Sequence, residues 1–310
     1  MYPSNNIIKK KEGKKTGKPS WLKKKLHMGG EYQRVKTLVA GSNLHTVCQE
    51  ANCPNMFECF SKQTSTFMIL GSQCTRHCRF CNVTSEMPAA VDPDEPRRVA
   101  NAIKKLGLTY VVITSVTRDD LEDGGAGHFA KTIKAIKNDA NKFPALQPIC
   151  PKPIQVEVLI PDFQGSRSAL KTVVHASPDV LNHNIETVPS LYSRVRPEAN
   201  YQQSLAVLKH TKQVNHLMPV KSGIMVGLGE TQKELELTLS DLFSHGCDIL
   251  TIGQYLQPTK SHLPVEKYYS PDEFKQLEHI AKKMGFKQVA AGPFVRSSYN
   301  ACDLFRKMLE

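Results

Sequence analysis

The chain has 310 residues, 40% hydrophobic and 23% charged, enough for a sizeable buried core in one large domain or two small ones. No run approaches the roughly 20 apolar residues of a membrane-spanning helix, and no secretory signal follows the N-terminal lysines, so the chain reads as cytoplasmic. The net charge of +12 is lopsided: residues 1–25 hold nine lysines against Glu12, leaving +4 for the rest, where no basic patch interleaved with aromatics suggests a nucleic-acid binder.

Four regions follow in chain order. Residues 1–30 are a basic tail, either a solvated extension or an arm for an acidic partner. Residues 31–62 are loop-rich and carry Cys48, Cys53 and Cys59. Residues 63–265 alternate short β-rich runs with amphipathic helical stretches. Residues 266–310 add a helix, a strand-like run and a polar loop. The patterning predicts strands over Ser65–Leu70, Thr109–Thr114, Ile154–Ile160, Val180–Ile185, Val220–Val226 and Asp248–Gln254, each β-branched or apolar and bounded by polar or turn residues, as for strands buried on both faces. Helical periodicity predicts helices over Glu95–Leu106, Tyr201–His210 and Thr231–His245. Ser270, Pro271 and Glu273 mark another helix start, with a capping-box acid. Six strands alternating with helices predict an α/β fold, a partial (β/α)6 barrel with extensions at both ends. Such barrels carry their chemistry at the C-terminal ends of the strands. The polar residues obey that rule: Cys74–Cys81 follow the first strand, Ser115 and Thr117–Asp120 the second, Asn182–Asn184 and Glu186 the fourth, and Gly227–Glu230 the fifth.

Six of the nine cysteines fall within residues 48–81. Cys74, Cys78 and Cys81 form C-x3-C-x2-C. Three thiolates at this spacing can hold one face of a four-iron cluster and leave the fourth iron without a protein ligand. An open iron can chelate the amino and carboxylate groups of S-adenosylmethionine and pass an electron into its sulfonium. The alternatives are weaker. Structural zinc usually draws on paired C-x2-C or Cys/His sets with four ligands, and disulfides suit small secreted domains. Cys48, Cys53 and Cys59 form C-x4-C-x5-C, which spacing alone leaves open between a second cluster and a three-cysteine zinc site completed by His45. Cys150, Cys247 and Cys302 have no ligand spacing and read as structural. Gly124–Gly127 is no phosphate loop, because no G-K-[ST] follows.

The C-x3-C-x2-C motif, with Phe80 before its last cysteine, is the signature of the radical S-adenosylmethionine (radical SAM) superfamily. Together with C-x4-C-x5-C and Arg296-Ser297-Ser298-Tyr299-Asn300-Ala301, in this order, it resembles the lipoyl synthase family over roughly residues 20–302. That resemblance implies a radical SAM-type barrel with two 4Fe-4S clusters and S-adenosylmethionine. Cys74, Cys78 and Cys81 would hold the cluster that cleaves the sulfonium. Cys48, Cys53 and Cys59 would hold an auxiliary cluster completed by Ser298, with Ser297 the lesser candidate. Gly223–Glu230 is similar to the G-x-I-x-G-x-x-E stretch that radical enzymes place beside the adenosine, with Met225 at an apolar position. The expected S-adenosylmethionine contacts are Asn182, Asn184, Glu186, Gly227 and Arg194, the last as a bidentate carboxylate partner. The implied reaction inserts two sulfur atoms at C6 and C8 of a protein-bound octanoyl-lysine. The implied partners are octanoylated lipoyl-carrier domains (2-oxoacid dehydrogenase E2 subunits and the glycine cleavage H protein), reduced ferredoxin or flavodoxin, and a cluster-assembly protein. One rival is another sulfur-inserting radical enzyme resembling biotin synthase, which would lack the upstream triplet and the R-S-S-Y segment. A second is a non-enzymatic cluster carrier or zinc-binding RNA protein.

Overall fold

The computed structural model describes residues 18–23, 30–51, 53–61, 65–142 and 154–310. Most of the lysine-rich tail, the expected 62/63 boundary and Cys150 lie outside these residues. The strands are β1 (His45–Thr46), β2 (Thr66–Ile69), β3 (Gln73–Cys74), β4 (Thr84–Ser85), β5 (Tyr110–Ser115), β6 (Gln155–Leu159), β7 (Val180–Asn182), β8 (Val220–Val226), β9 (Ile249–Gln254) and β10 (Gln288–Gly292). Eight of them make one sheet in the order β1-β2-β5-β6-β7-β8-β9-β10, while β3 and β4 form a small separate ladder. Every pairing in the large sheet is parallel except β1 with β2. Its two edges do not meet among the described residues, so the barrel is open.

The six expected strands are β2 and β5 to β9, and the sheet gains one strand at each edge. β10 lies in the strand-like run after the penultimate helix and pairs with β9 from Gln288↔Ile249 to Gly292↔Gly253. β1 has only two residues, too few for any alternation to show. Glu95–Leu106 forms as expected, entered through Pro96 and stopped by Gly107 in the left-handed region (φ 66°). Thr231 and Ser270 cap the helices Gln232–Ser244 and Pro271–Met284, each in a full capping box with the glutamate three residues on.

Alternation along the strands separates two layers. Val111, Ile113, Val156, Val158 and Leu181 face the outer helices in one large core, and Val220, Ile224 and Val226 do so in a second. The opposite faces of β5 and β7 present Tyr110, Val112 and Val180 to Ala301 and Phe305 of the last helix, Ala301–Leu309. That helix therefore packs against the concave face of the sheet at the N-terminal ends of its strands. Beside it lies a buried polar group: Lys221 donates to both oxygens of Glu157 (2.9 and 3.2 Å), and Tyr110 (2.6 Å) and Asn182 (3.2 Å) donate to the same carboxylate. The concave side is thus filled below and free above, at the strands' C-terminal ends, where a cavity opens.

Candidate active site and its cofactor cavity

The cavity has a volume of about 480 Å³, within the range of ligand-binding clefts. All six clustered cysteines line it, together with Asn184, Glu186, Ser297 and Ser298. The sequence brings these groups in from three directions. The loop after β2 carries Cys74, Cys78 and Cys81, and Cys74 Sγ accepts hydrogen bonds from the backbone of Thr117 (3.3 Å) and Arg76 (3.5 Å). Cys48 sits in the helical turn Val47–Glu50, which Thr46 caps, and Cys59 in the helix Met56–Ser61. The R-S-S-Y segment comes from the far end of the chain, after β10.

These segments are tied directly to one another. Asn55 donates from Nδ2 to the Phe294 carbonyl (2.6 Å), and the Tyr299 hydroxyl donates to Glu58 Oε1 (2.9 Å). Asn82, just past Cys81, donates to the Glu50 carbonyl (3.2 Å). His262 Nε2 lies 3.0 Å from the Cys81 carbonyl, and Arg79 N donates to the Val195 carbonyl (2.9 Å). Two inward-facing glycines admit the C-terminal loop. A Cβ on Gly223 would stand 3.1 Å from Ser297 Oγ, and one on Gly253 would run into the Val295 carbonyl oxygen. Only a bare Cα lets the loop lie this close to β8 and β9.

The electrostatics are those of buried groups without their final partners. Burial pushes the Cys78 thiol up to about 11, with Arg196 pulling the other way. Burial likewise takes Cys81 up to about 12 and raises Cys48, the latter also through the neighbouring Cys53. Thiols so placed stay protonated until a metal takes the proton's place. Among the described residues no three His, Cys, Asp or Glu form a set able to hold one metal ion, yet the thiols of each trio lie near enough to raise one another. A trio around a group of several irons is the arrangement that C-x3-C-x2-C provides. Four further buried polar atoms on the cavity wall lack a partner: Ser115 Oγ, His183 Nε2, Asn184 Oδ1 and Arg196 Nε. Since buried polar groups are nearly always hydrogen-bonded, these four fit a ligand rich in both donors and acceptors. S-adenosylmethionine, with its ammonium, carboxylate, ribose and adenine, is such a ligand. Burial, followed by the Arg196 charge, takes His183 down to about 4, so it is neutral at pH 7. Its Nδ1 donates to the Ile160 carbonyl (2.9 Å), which leaves Nε2 as an acceptor.

Three expected contacts are placed elsewhere. Asn182 is fully buried one layer below the cavity, its amide committed to Glu157. Arg194 lies on the surface in an ion pair with Glu266 (2.7 Å). Arg194 belongs to the helical turn Tyr192–Val195, whereas Arg196, its C-cap, leaves the turn in a non-helical conformation (φ −135°). Arg196 therefore takes the inward place, with Nη1 on the carbonyls of Asn184 (3.1 Å) and Ile185 (3.3 Å) and on the Tyr192 hydroxyl (3.2 Å). Gly227 has φ 101° and packs beneath Gln254 and the Lys267 carbonyl, away from the cavity wall. Asn184 and Glu186 do line the cavity; Asn184 Nδ2 donates to Glu186 Oε1 (2.9 Å) and to Ser297 Oγ (2.6 Å). Ser115 and His183, which the sequence sets on the polar rim without a ligand role, and Arg196 are the further wall residues. His183 and Arg196 stand one and two residues from the expected contacts Asn182 and Arg194.

Comparison with known proteins agrees with this geometry. The model of the radical SAM superfamily matches residues 68–242, and that of the N-terminal domain of lipoyl synthase of the radical SAM family matches residues 2–53. The lipoyl synthase of Caldanaerobacter subterraneus subsp. tengcongensis is 54% identical over 284 residues, 92% of this chain and 95% of that one. The chain belongs to the lipoyl synthase family. A second lipoyl synthase, from Desulfotalea psychrophila, is 53% identical over 298 residues, 96% of each chain. Solved structures share the fold at low identity. Methylornithine synthase (PylB) superposes with a TM-score of 0.51 at 13% identity, covering 82% of this chain and 73% of its own. Streptococcus suis SuiB bound to S-adenosylmethionine gives 0.51 at 11%, covering 77% and 54%. Membership in the lipoyl synthase family accounts for both cysteine triplets and the R-S-S-Y loop, which a biotin synthase-like enzyme would not carry together.

Proposed function

We propose that this chain is a lipoyl synthase: it inserts two sulfur atoms, at C6 and C8, into the octanoyl chain of an octanoyl-lysine on a carrier protein. The observation that carries the reading is the meeting of two cysteine triplets and the R-S-S-Y loop on one cavity wall. Cys74, Cys78 and Cys81 hold one 4Fe-4S cluster; Cys48, Cys53, Cys59 and Ser298 hold the other. Ser298 is favoured over Ser297 because the Ser297 hydroxyl already accepts from Asn184. When bound, the first cluster supplies the electrons that split two S-adenosylmethionine molecules, and the second is the source of the inserted sulfur.

The protein's own residues position and exclude. Arg196, whose buried guanidinium acts on the Cys78 thiol, is the carboxylate partner for the methionyl group, in place of Arg194. His183 Nε2 and Asn184 Oδ1 accept hydrogen bonds from the ligand, and Ser115 either gives or accepts one. The C-terminal loop and the segments that carry Cys48, Cys53 and Cys59 line the cavity together with the Cys74–Cys81 loop, and so would keep water from the reacting carbon. The enzyme works in the cytoplasm on octanoylated carrier domains of 2-oxoacid dehydrogenase E2 subunits and of the glycine cleavage H protein. Reduced ferredoxin or flavodoxin donates the electrons, and a cluster-assembly protein restores the second cluster. The lysine-rich tail favours acidic carrier domains, so deleting residues 1–18 raises the KM for carrier most at low salt.

The deciding assay is anaerobic reconstitution followed by reaction with an octanoyl-lysine peptide, S-adenosylmethionine and reductant. The expected result is about eight irons per chain, 5′-deoxyadenosine, and the dithiolated peptide by mass spectrometry. Zinc at both cysteine sites, or iron with no cleavage of S-adenosylmethionine, refutes the reading.

A further inference from the structure

The middle one of the three residues between the first two cysteines of C-x3-C-x2-C is not idle. Arg76 is 6% exposed and gripped by two carboxylates. Its Nε and Nη2 donate to Asp119 (2.6 and 3.0 Å), and its Nη1 and Nη2 donate to Asp162 (2.9 and 2.7 Å). Asp162 is wholly buried, and Asp119 is partly exposed, with 27% of its side chain reaching solvent. The fork uses every side of the guanidinium, which a lysine could not do.

The chain goes to some length to hold this grip. Phe163, Gln164 and Gly165, just after Asp162, have φ of 48°, 51° and 79°. Two successive non-glycine residues in the left-handed region are strained, and strain of this kind persists only where the surroundings enforce it. Here Asp162 accepts from the Gln164 backbone (3.1 Å), the Phe163 ring packs edge-on to Phe129, and the Gln164 side chain donates to the Asp119 carbonyl (3.1 Å). The turn thus supplies one carboxylate and steadies the strand end that supplies the other. On the loop side, Arg76 N points at Cys74 Sγ, and the Arg76 carbonyl accepts from Ser85 Oγ (2.9 Å) in the small β3–β4 ladder. Thr75 is bound through both N and Oγ1 to the Thr117 carbonyl (3.1 and 3.0 Å). The clamp counts one cation against two anions and so carries a net negative charge of its own, set against the positive charge of Arg196 at Cys78. Net charge near an iron–sulfur cluster is one of the terms that set its reduction potential.

We propose that Arg76, clamped by Asp119 and Asp162, is the positioning residue of the Cys74–Cys81 loop, and that the clamp's excess negative charge holds the reduction potential of the cluster bound there low. The inference rests on the cluster assignment made above. It is tested on the full chain, reconstituted anaerobically, by a redox titration followed by electron paramagnetic resonance with and without S-adenosylmethionine. Asp119→Asn keeps the size and one of the two hydrogen bonds but removes a charge; the expected result is parent-level iron with a midpoint potential shifted positive. Arg76→Lys keeps the charge but loses the fork. Its expected result is a smaller spectral change on adding S-adenosylmethionine and a raised KM for it, with Arg76→Gln impaired further. A purely structural arginine would leave the D119N potential at the parent value. That outcome, with the R76K spectrum superimposing on the parent's, overturns the clamp alone. Should R76K load no iron, the D119N potential decides the matter. A parent protein with no reducible four-iron cluster at these thiols sinks the function reading and the clamp with it.

Discussion

Replacing Gly253 by alanine is the sharpest test of how the C-terminal loop is seated. The new methyl group would lie far inside van der Waals contact of the Val295 carbonyl oxygen and 3.2 Å from Arg296 Nη1. An ordinary carbon–oxygen contact is about 3.3 Å, so the loop must retreat by about 1 Å. The obstacle is backbone and cannot be relieved by turning a side chain, so overpacking should cost about 1–3 kcal/mol of stability. The functional effect should be larger, because Ser297 and Ser298 ride on the same loop. A misplacement of about 1 Å in a catalytic arrangement can lower a rate about a hundredfold. The assay is single-turnover formation of the dithiolated octanoyl-lysine peptide, read by mass spectrometry beside 5′-deoxyadenosine from the same mixture. The expected outcome is a large loss of sulfur insertion with 5′-deoxyadenosine formation much less affected. Gly292→Ala is the control, since its Cβ would meet only Val295 Cγ2 at an ordinary 3.4 Å. If G253A and G292A both matched the parent within about twofold, the close approach of loop and strand would be functionally empty, contrary to the argument.

Arg196→Ala should weaken S-adenosylmethionine binding roughly 10- to 100-fold, the worth of a charge-assisted hydrogen bond, whereas Arg194→Ala should leave it unchanged; equilibrium binding to the reconstituted protein checks both. Lys221→Met strands the buried Glu157 carboxylate and should destabilise the fold by about 3–5 kcal/mol in urea titration, with Glu157→Gln added to it recovering part of the loss. His183 supplies a pH signature. Folding holds its pKa at about 4, while the unfolded chain takes the proton near 6.5. Stability therefore falls as pH drops from about 6.5 toward 4, by up to roughly 3 kcal/mol, and His183→Gln should flatten that part of the curve in urea midpoints measured across the range. Asp162 acts lower on the scale. Burial alone would raise it, but the Arg76 hydrogen bonds win and hold it below the usual carboxylate range, so its contribution is complete above about pH 5 and is lost in stronger acid.

The barrel's strands are legible in the chain because parallel strands buried on both faces read as continuous apolar runs. β8 matches its expected bounds residue for residue. The edges are not legible: β1 is too short, and β10, Gln-Val-Ala-Ala-Gly, pairs only because β9 lies beside it. The Cys74–Cys81 trio is legible because ligands on one loop sit at fixed spacing, whereas the spacing of Cys48, Cys53 and Cys59 leaves cluster and zinc open until the resemblance is added. Ser297, Ser298 and Tyr299, by contrast, form an ordinary polar loop until resemblance gives it a role. Choosing Arg194 over Arg196, or Asn182 over His183, demands the phase of a turn that local pattern does not carry. Arg76 is the extreme case. Its carboxylate partners lie 43 and 86 residues downstream, so only the folded barrel reveals why an arginine stands among the cysteines.

The bond from Asn55 to Phe294 joins positions 239 residues apart, and this has a bearing on biogenesis. During translation at roughly 5–20 residues per second, the thiols of Cys48, Cys53 and Cys59 leave the ribosome tens of seconds before the serine loop exists. The upstream trio therefore spends that interval as an incomplete, oxidisable chelator, while the Cys74–Cys81 loop needs only the barrel's first half to acquire its arginine brace. On the cluster assignment proposed above, metallation of the two sites is staggered in time, and the later one is finished only on a chain whose two ends have already met.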